Sequence, residues 1–290
     1  MDPVAGRVVL VTGAARGIGA ATARALSRRG ARLSLVGLEP ELLAEVGGRL
    51  GEGTIWREAD VTDQGALNAA TEATARRLGG IDAVVANAGV ANYGTVLTAD
   101  PDAFARTVDV NLVGAYRTIA AAVPHLVRRR GYALIVASLA SFAPLPGAAG
   151  YSASKAGAEA LAGALRGELA HHGVAVGSAH PSWIDTDMVR DAERALPTLR
   201  ALRDQLPWPV RSTTSAEACG EALADAVARR ARRVYVPRSI ALVHALRPVL
   251  NSALADRVVR WRAARLVPQL EAEIAALRVG GVEEPIRAIP

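Results

Sequence analysis

Short runs dense in Val, Ile and Leu recur at residues 7–12, 32–36, 81–86, 132–137, 174–179 and 233–236. Between them lie stretches of helical periodicity, near 17–29, 40–49, 63–78, 102–129, 150–171 and 215–230. Strands apolar on both faces belong to a parallel sheet covered on each side, and the alternating helices supply the crossovers such a sheet needs. The pattern predicts an α/β fold built on a doubly wound parallel sheet, with ligands beyond the carboxyl ends of the strands. Residues 187–213 break the alternation; with Pro197, Pro207 and Pro209, they predict a mobile loop carrying short helices. Beyond Pro237 the pattern changes again. Residues 239–278 read as one or two amphipathic helices, with Leu266, Leu270, Ile274 and Leu277 on a shared face. The expected organisation is a main body over 1–237 and a helical extension over 238–290, packed on that body or at an interface.

Composition narrows the possible partners. The chain has 290 residues, 51% of them hydrophobic, enough for one substantial core. Cys219 is its only cysteine, so no intrachain disulfide forms, which suits a reducing compartment. The N-terminus runs directly into the first apolar segment without a charged leader, and no stretch approaches the ~18–20 apolar residues of a membrane span. A cytoplasmic location is the expectation. The net charge of +6 raises the question of nucleic acid, but aromatics are only 4%, too few for a base-stacking surface, and no nucleic-acid partner is expected. The basic run Arg128–Arg130 falls where a helix should end, and cations there complement the helix dipole. His171 and His172 end another helix, while His125, His180 and His244 have no metal-ligand spacing, so no metal is expected. Cys219 has no basic neighbour in sequence and reads as inert.

The first candidate chemistry lies where the first strand meets the first helix, in Thr12-Gly13-Ala14-Ala15-Arg16-Gly17-Ile18-Gly19. In that context Gly13 permits a tight turn, Gly17 and Gly19 permit close backbone approach, and the helix N-terminus attracts a pyrophosphate. Ala15, Arg16 and Ile18 complete a candidate dinucleotide-binding loop. The end of the second strand tests cofactor choice. A carboxylate there would take the ribose hydroxyl of NAD and repel the 2′-phosphate of NADP. Here the strand ends in Gly37-Leu38, and the first carboxylate is Glu39. With Arg16 available to a phosphate, NADP(H) is the preferred expectation. NAD(H), with Glu39 on the ribose, is the alternative.

The second candidate is a pair. Of 34 basic residues 33 are arginine, and the one lysine, Lys155, follows Tyr151 by four. On a helix that spacing stacks both side chains on one face, and an ammonium beside a phenol favours the phenolate over its usual pKa of ~10. A phenol tuned in this way is a general acid/base.

Together, the glycine spacing at 12–19 and Tyr151-Ser-Ala-Ser-Lys155 resemble the short-chain dehydrogenase/reductase family, in its typical-length subgroup with TGxxxGxG and YxxxK motifs. Further marks follow in order: Asp60-Val61, Ala86-Asn87-Ala88-Gly89, Asn111, Ser138 thirteen residues before Tyr151, and Pro181-Ser182-Trp183-Ile184-Asp185-Thr186. The resemblance spans about residues 5–237 and departs at Ala86 (Asn in the family) and Ser182 (Gly in the family). It implies a Rossmann-like fold, with Asp60 and Val61 at the adenine and Asn87, Ala88 and Gly89 along the cofactor. Pro181, Ser182, Ile184 and Thr186 would lie at the nicotinamide. Tyr151 would exchange a proton with the substrate oxygen, with Lys155 depressing its pKa and bonding the nicotinamide ribose. Ser138 would hold the substrate oxygen, and Asn111 would anchor a proton-relaying water. The resemblance thus implies an oxidoreductase interconverting a ketone and a secondary alcohol.

Leu145, Trp183, Met188 and Trp208 are the candidate substrate-pocket residues, and so apolar a wall predicts a hydrophobic carbonyl or alcohol. Two rival functions are a carrier-bound 3-oxoacyl reductase docking through Arg128–Arg130 and a non-catalytic dinucleotide sensor or scaffold. Family members commonly form homodimers or homotetramers, and one is expected here. The extension carries Arg238, Arg247, Arg257, Arg260, Arg262 and Arg265 beside its apolar face. It reads as a cover over the pocket or an interface, as a peripheral membrane contact, or as a partner-docking arm.

Overall fold

The computed structural model describes residues 2–250 and 252–279. Seven parallel strands form the central sheet: β1 (Val8–Thr12), β2 (Arg32–Gly37), β3 (Thr54–Glu58), β4 (Ala83–Ala86), β5 (Tyr132–Val136), β6 (Ala175–Pro181) and, after a two-stranded flap, β9 (Arg233–Val236). Their order is β3-β2-β1-β4-β5-β6-β9, the doubly wound arrangement that the hydrophobic pattern predicts. The flap pairs β7 (Trp183–Asp185) with β8 (Thr213–Ser215), also in parallel.

All residues of β1, β4 and β5 are buried, as strands covered on both faces must be. On one side of the sheet, α1 (Gly17–Arg28) packs closely against α9 (Ala216–Arg229). A cluster including Val9, Val11, Leu26, Leu33, Leu134 and Leu223 fills the space between. On the other side, α3 (Gln64–Leu78), α5 (Gly114–Arg129) and α6 (Ala149–Glu168) cover a cluster including Leu10, Ile81, Val84, Ile119, Leu126 and Ile135. Helix α2 (Pro40–Leu50) lies beside β3.

The run of apolar strands omits β3. Its sequence, Thr-Ile-Trp-Arg-Glu, is half-exposed to exposed because it lies at the sheet edge, where only one neighbour covers it. Helix 102–129 is continuous but not uniform. α4 (Pro101–Val108) passes through a π-helical turn, Asp109–Val113, into α5. The Arg128–Arg130 run does end a helix: Arg128 Nε donates to Pro124 O (3.0 Å), and Arg129 caps Gly79 O.

Residues 187–213 are more ordered than their prolines predict. They form α7 (Asp187–Ala195) and α8 (Pro197–Asp204), with Pro197 in the first turn of α8 and Leu196 and Leu199 fully buried. Proline in that place needs no N–H and starts a helix rather than breaking one. After β9 come α10 (Ile240–Ala245), α11 (Arg247–Leu250) and the long α12 (Ala253–Val279). The predicted face of α12 is real: Leu266, Leu270 and Ile274 are buried, and Leu277 packs beside them.

Candidate active site

The strand order reverses between β1 and β4, the switch point at which an open α/β sheet places its ligand crevice. A cleft of about 410 Å³ opens at this point, running from Gly37 and Leu38 at the end of β2 to Tyr151 and Met188. The two loops that frame it are stitched together. Thr12 Oγ1 accepts from Asn87 N (3.1 Å) and Ala88 N (3.2 Å), while Asn87 Nδ2 donates to Thr12 O (3.0 Å) and Gly13 O (3.2 Å). The loops approach so closely that a Cβ on Gly13, whose φ is +62°, would stand 2.8 Å from Ala88 Cα. One on Gly19 would collide with Gly13 O, so Gly19 lets the helix pack on the turn and does not line the cleft.

Gly13, Ala15, Arg16, Gly17 and Ile18 form the cleft floor. The N-terminus of α1 has no side-chain cap and no acidic residue in its first turn. Free N–H groups and the helix dipole at that end suit a phosphate. Thr186 stands over the same point, its Cγ2 3.4 Å from where a Gly17 Cβ would sit. Asp60, Val61, Asn87, Ala88 and Gly89 line the same cleft, and so do Pro181 and Thr186. This glycine-lined, cation-bearing cradle fits a nicotinamide dinucleotide. Ser182 and the Ile184 side chain, by contrast, do not line it: Ser182 Oγ donates to Val210 O (3.4 Å), and Ile184 is expected to act through its backbone, its side chain being buried in the core.

Two features of this end escaped the sequence reading. Arg16 Nη2 lies 2.6 Å from Glu39 Oε1, so the candidate phosphate ligand and the candidate ribose ligand are one ion pair on the cleft wall. Arg106 also lines the cleft and pairs with Asp60 (3.1 Å). Burial works against ionising Asp60, but bonds from Thr62 and Arg106 outweigh it and hold the carboxyl below the usual range. Arg106 comes to the cleft from α4, a placement no local motif signals.

At the other end, α6 presents Tyr151 and Lys155 on one face. Lys155 Nζ lies 5.8 Å from the Tyr151 ring centroid and donates to Val136 O (2.9 Å). Burial pushes Lys155 down to about 8. Tyr151 departs from expectation: burial pushes its phenol up, and a hydrogen bond with Ser138 opposes this without reversing it. Desolvation of the phenolate therefore outweighs the one bond that favours it, and the expected lowering is not found.

Ser138, buried after β5, has its Oγ accepting from Ala140 N (3.1 Å) and its N donating to Ser141 Oγ (3.2 Å). This capping box fixes the side chain while leaving the hydroxyl hydrogen free to donate. Asn111 sits in the π-helical turn, a local irregularity frequent at functional sites. Its Oδ1 accepts from Val90 N (2.8 Å), and its Nδ2 donates to Val90 O (2.9 Å) and Ser154 Oγ (3.0 Å). Both amide hydrogens are spent on protein, so the side chain anchors a loop rather than holding a water by donation. A Cβ on Gly89 would come within 3.0 Å of Asn111 Oδ1 and 3.3 Å of Lys155 Nζ, so glycine keeps this corner open.

Of the candidate substrate residues, Met188 lines the cleft from α7, which with α8 makes up a lid segment, and Leu145 packs with Tyr151 and Met188 against the lid cluster of Tyr93, Leu196, Leu199, Leu270 and Ile274. Trp183 lies outside the cleft, 5.9 Å from the Arg203 guanidinium. Trp208 is 70% exposed and also outside it, because the segment after α8 turns towards solvent.

Residues 7–196 match the short chain dehydrogenase family, about two thirds of the chain. The chain belongs to the short-chain dehydrogenase family. It is similar to trans-4-hydroxycyclohexanecarboxylate dehydrogenase of Sinomonas cyclohexanicum, at 32% identity over 70% of this chain and 82% of that protein. It is also 36% identical to the glycine betaine reductase ATRR of Emericella nidulans, over 64% of this chain but only 15% of that longer protein. In three dimensions it resembles levodione reductase, with a TM-score of 0.73 and 25% identity over 80% of this chain and 96% of that one. The chain is accordingly an oxidoreductase of the CH–OH/C=O class, a family that uses NAD(P)(H). Among the described residues no helix is long and apolar enough to cross a membrane.

Proposed function

We propose that this protein interconverts a hydrophobic ketone and its secondary alcohol, with NADP(H) preferred and Tyr151 as general acid/base. One observation carries the reading: Tyr151 and Lys155 line the same cleft as the uncapped N-terminus of α1. The nicotinamide supplies or accepts the hydride when bound. The chain's own groups handle the oxygen and the proton. In reduction, the Ser138 hydroxyl donates a hydrogen bond to the carbonyl oxygen, and the Tyr151 hydroxyl delivers its proton there. A phenol held protonated by burial is the correct starting form for that direction. Lys155, charged below about pH 8, stabilises the tyrosinate left behind.

The apolar surroundings of Tyr151, with Leu145, Met188 and the lid leucines, favour a hydrophobic substrate. A ring-bearing secondary alcohol is in keeping with the cyclohexane ring in the name of the Sinomonas relative. NADP(H) preference rests on the absence of a carboxylate at Gly37 and on Arg16 in the floor. The Arg16–Glu39 pair favours a second reading, in which Glu39 takes the ribose of NAD(H). Turnover of a panel of cyclic and aryl ketones by wild type and Tyr151→Phe tests the proposal. The variant should lose activity at least about a thousandfold while cofactor affinity stays within a few-fold. Undiminished turnover removes Tyr151 from the acid/base role.

A further inference from the structure

The extension has two halves of opposite character. From Leu266 onward α12 is built into the body. Leu270 and Ile274 are buried among Tyr93, Leu196 and Leu199, and a Cβ on Gly147 would collide with Leu270. Both acidic residues of this half are used: Glu271 accepts from Thr95 Oγ1 (2.7 Å), and Glu273 accepts from Thr198 N and Oγ1. The preceding half is held less firmly, with Arg262 Nη1 donating to Gln205 O at 3.5 Å. Every residue from Asp256 to Arg262 is exposed, as a helix standing off the body would be.

That exposed half is apolar on one stripe. Leu254, Val258 and Trp261, at i, i+4 and i+7, share a face and are 73%, 47% and 61% exposed. Arg257 and Arg262 flank the stripe in helical projection, and Arg265 stacks on Trp261 at 4.8 Å. The preceding short helices also carry exposed Leu242, Leu246 and Val249. The charge is as lopsided as the exposure. Residues 238–270 hold six arginines against a single carboxylate, Asp256, a surplus of five in a chain whose net charge is +6. Among the described residues Arg257, Arg260 and Arg265 have no carboxylate partner.

We infer that the exposed half of α12, residues 253–265, forms a docking surface for an anionic lipid bilayer. A stripe of Leu, Val and Trp framed by arginines matches the interface between acyl chains and acidic headgroups. A second copy of the chain is a poor occupant, because a two-fold contact would press the same surplus of positive charge against itself. The helix that bears the stripe continues directly into the contacts holding the lid, so docking would hold the lid end of the enzyme near the membrane. The inference does not depend on which substrate is reduced.

The test is co-sedimentation of the full chain with vesicles of phosphatidylcholine, with and without phosphatidylglycerol, in parallel with sedimentation-equilibrium measurement of oligomeric state. Wild type should partition onto the phosphatidylglycerol vesicles, in a salt-sensitive manner, and little onto pure phosphatidylcholine. Trp261→Glu and, separately, Arg260→Glu should weaken that partitioning about tenfold or more, with melting temperature and turnover of a water-soluble ketone unchanged. Both residues are exposed, so neither change disturbs packing. Failure to bind acidic vesicles, or equal binding by both variants, overturns the proposal. A dimer that Trp261→Glu dissociates, with no vesicle binding by wild type, assigns the face to a second copy instead.

Discussion

Lys155, in the proposed role, would serve chemistry against stability. Its buried ammonium is pushed down to about 8 from an ordinary value of 10.5. Between those values the unfolded chain binds a proton that the folded chain does not, so stability rises with pH across that window and the full burial penalty applies below it. The shift corresponds to about 3 kcal/mol, against ~1–2 kcal/mol for leaving the Val136 carbonyl without its donor. Lys155→Met should therefore abolish turnover yet raise the melting temperature at pH 7, with the advantage shrinking as pH climbs from 8 towards 10.5. Thermal scans across that range check it; a destabilised variant at pH 7 contradicts the burial argument. Gly37 offers a second test at this scale. The atoms nearest an added Cβ would be Leu43 Cδ2 (3.6 Å), Leu43 Cδ1 (3.7 Å) and Ala14 N (3.8 Å), all at ordinary contact distance, so the Cβ itself fits without strain. Gly37→Asp should weaken NADPH binding at least about tenfold relative to NADH, by placing a carboxylate where the 2′-phosphate is expected. Calorimetric titration of both cofactors measures this, and an unchanged ratio favours Glu39 as the deciding group.

Among the elements, α8 depends most visibly on a distant partner. Its buried Thr198 gives both its N–H and its hydroxyl to Glu273 of α12, so the first turn of this lid helix is capped by a side chain 75 residues away. Glu273→Ala leaves those donors unpaired, at a cost of about 1–3 kcal/mol. KM for the ketone should rise several-fold with kcat changed less, because the lid is held less firmly while the proposed acid/base Tyr151 is untouched. Steady-state kinetics alongside thermal unfolding reads out both effects. The elements also show what a single sequence conceals. β3 escapes the hydrophobic pattern because an edge strand is covered on one side only. The order within 187–213 is hidden because Pro197 reads as a breaker until its place in the first turn of α8 is known.

For the whole molecule, the extension is part of the fold's closure rather than a tail. Removing residues 253–290 would uncover Tyr93, Leu196 and Leu199, which Leu270 and Ile274 now cover. Burying a single large aliphatic side chain contributes roughly 1.5–3 kcal/mol, and two are lost together here. The truncated chain should melt well below the full chain and expose enough apolar surface to aggregate; equal melting temperatures would show that the body closes without it.

What the sequence determined by itself was everything carried by local pattern. Periodicity gave the layered α/β fold, because parallel strands buried on both faces leave no polar alternation. Residue spacing gave Gly13 to Gly19 and the Tyr151–Lys155 pair, because a turn and a helix fix the geometry of their own neighbours. Tertiary structure decided what depends on residues far apart in the chain. It joined Arg16 to Glu39 and Asp60 to Arg106 across the cleft, turned Trp208 away from it, and capped α8 from α12. It also reversed the expected shift of Tyr151, because desolvation is set by all the atoms packed around a group and a neighbour four residues away is only one of them.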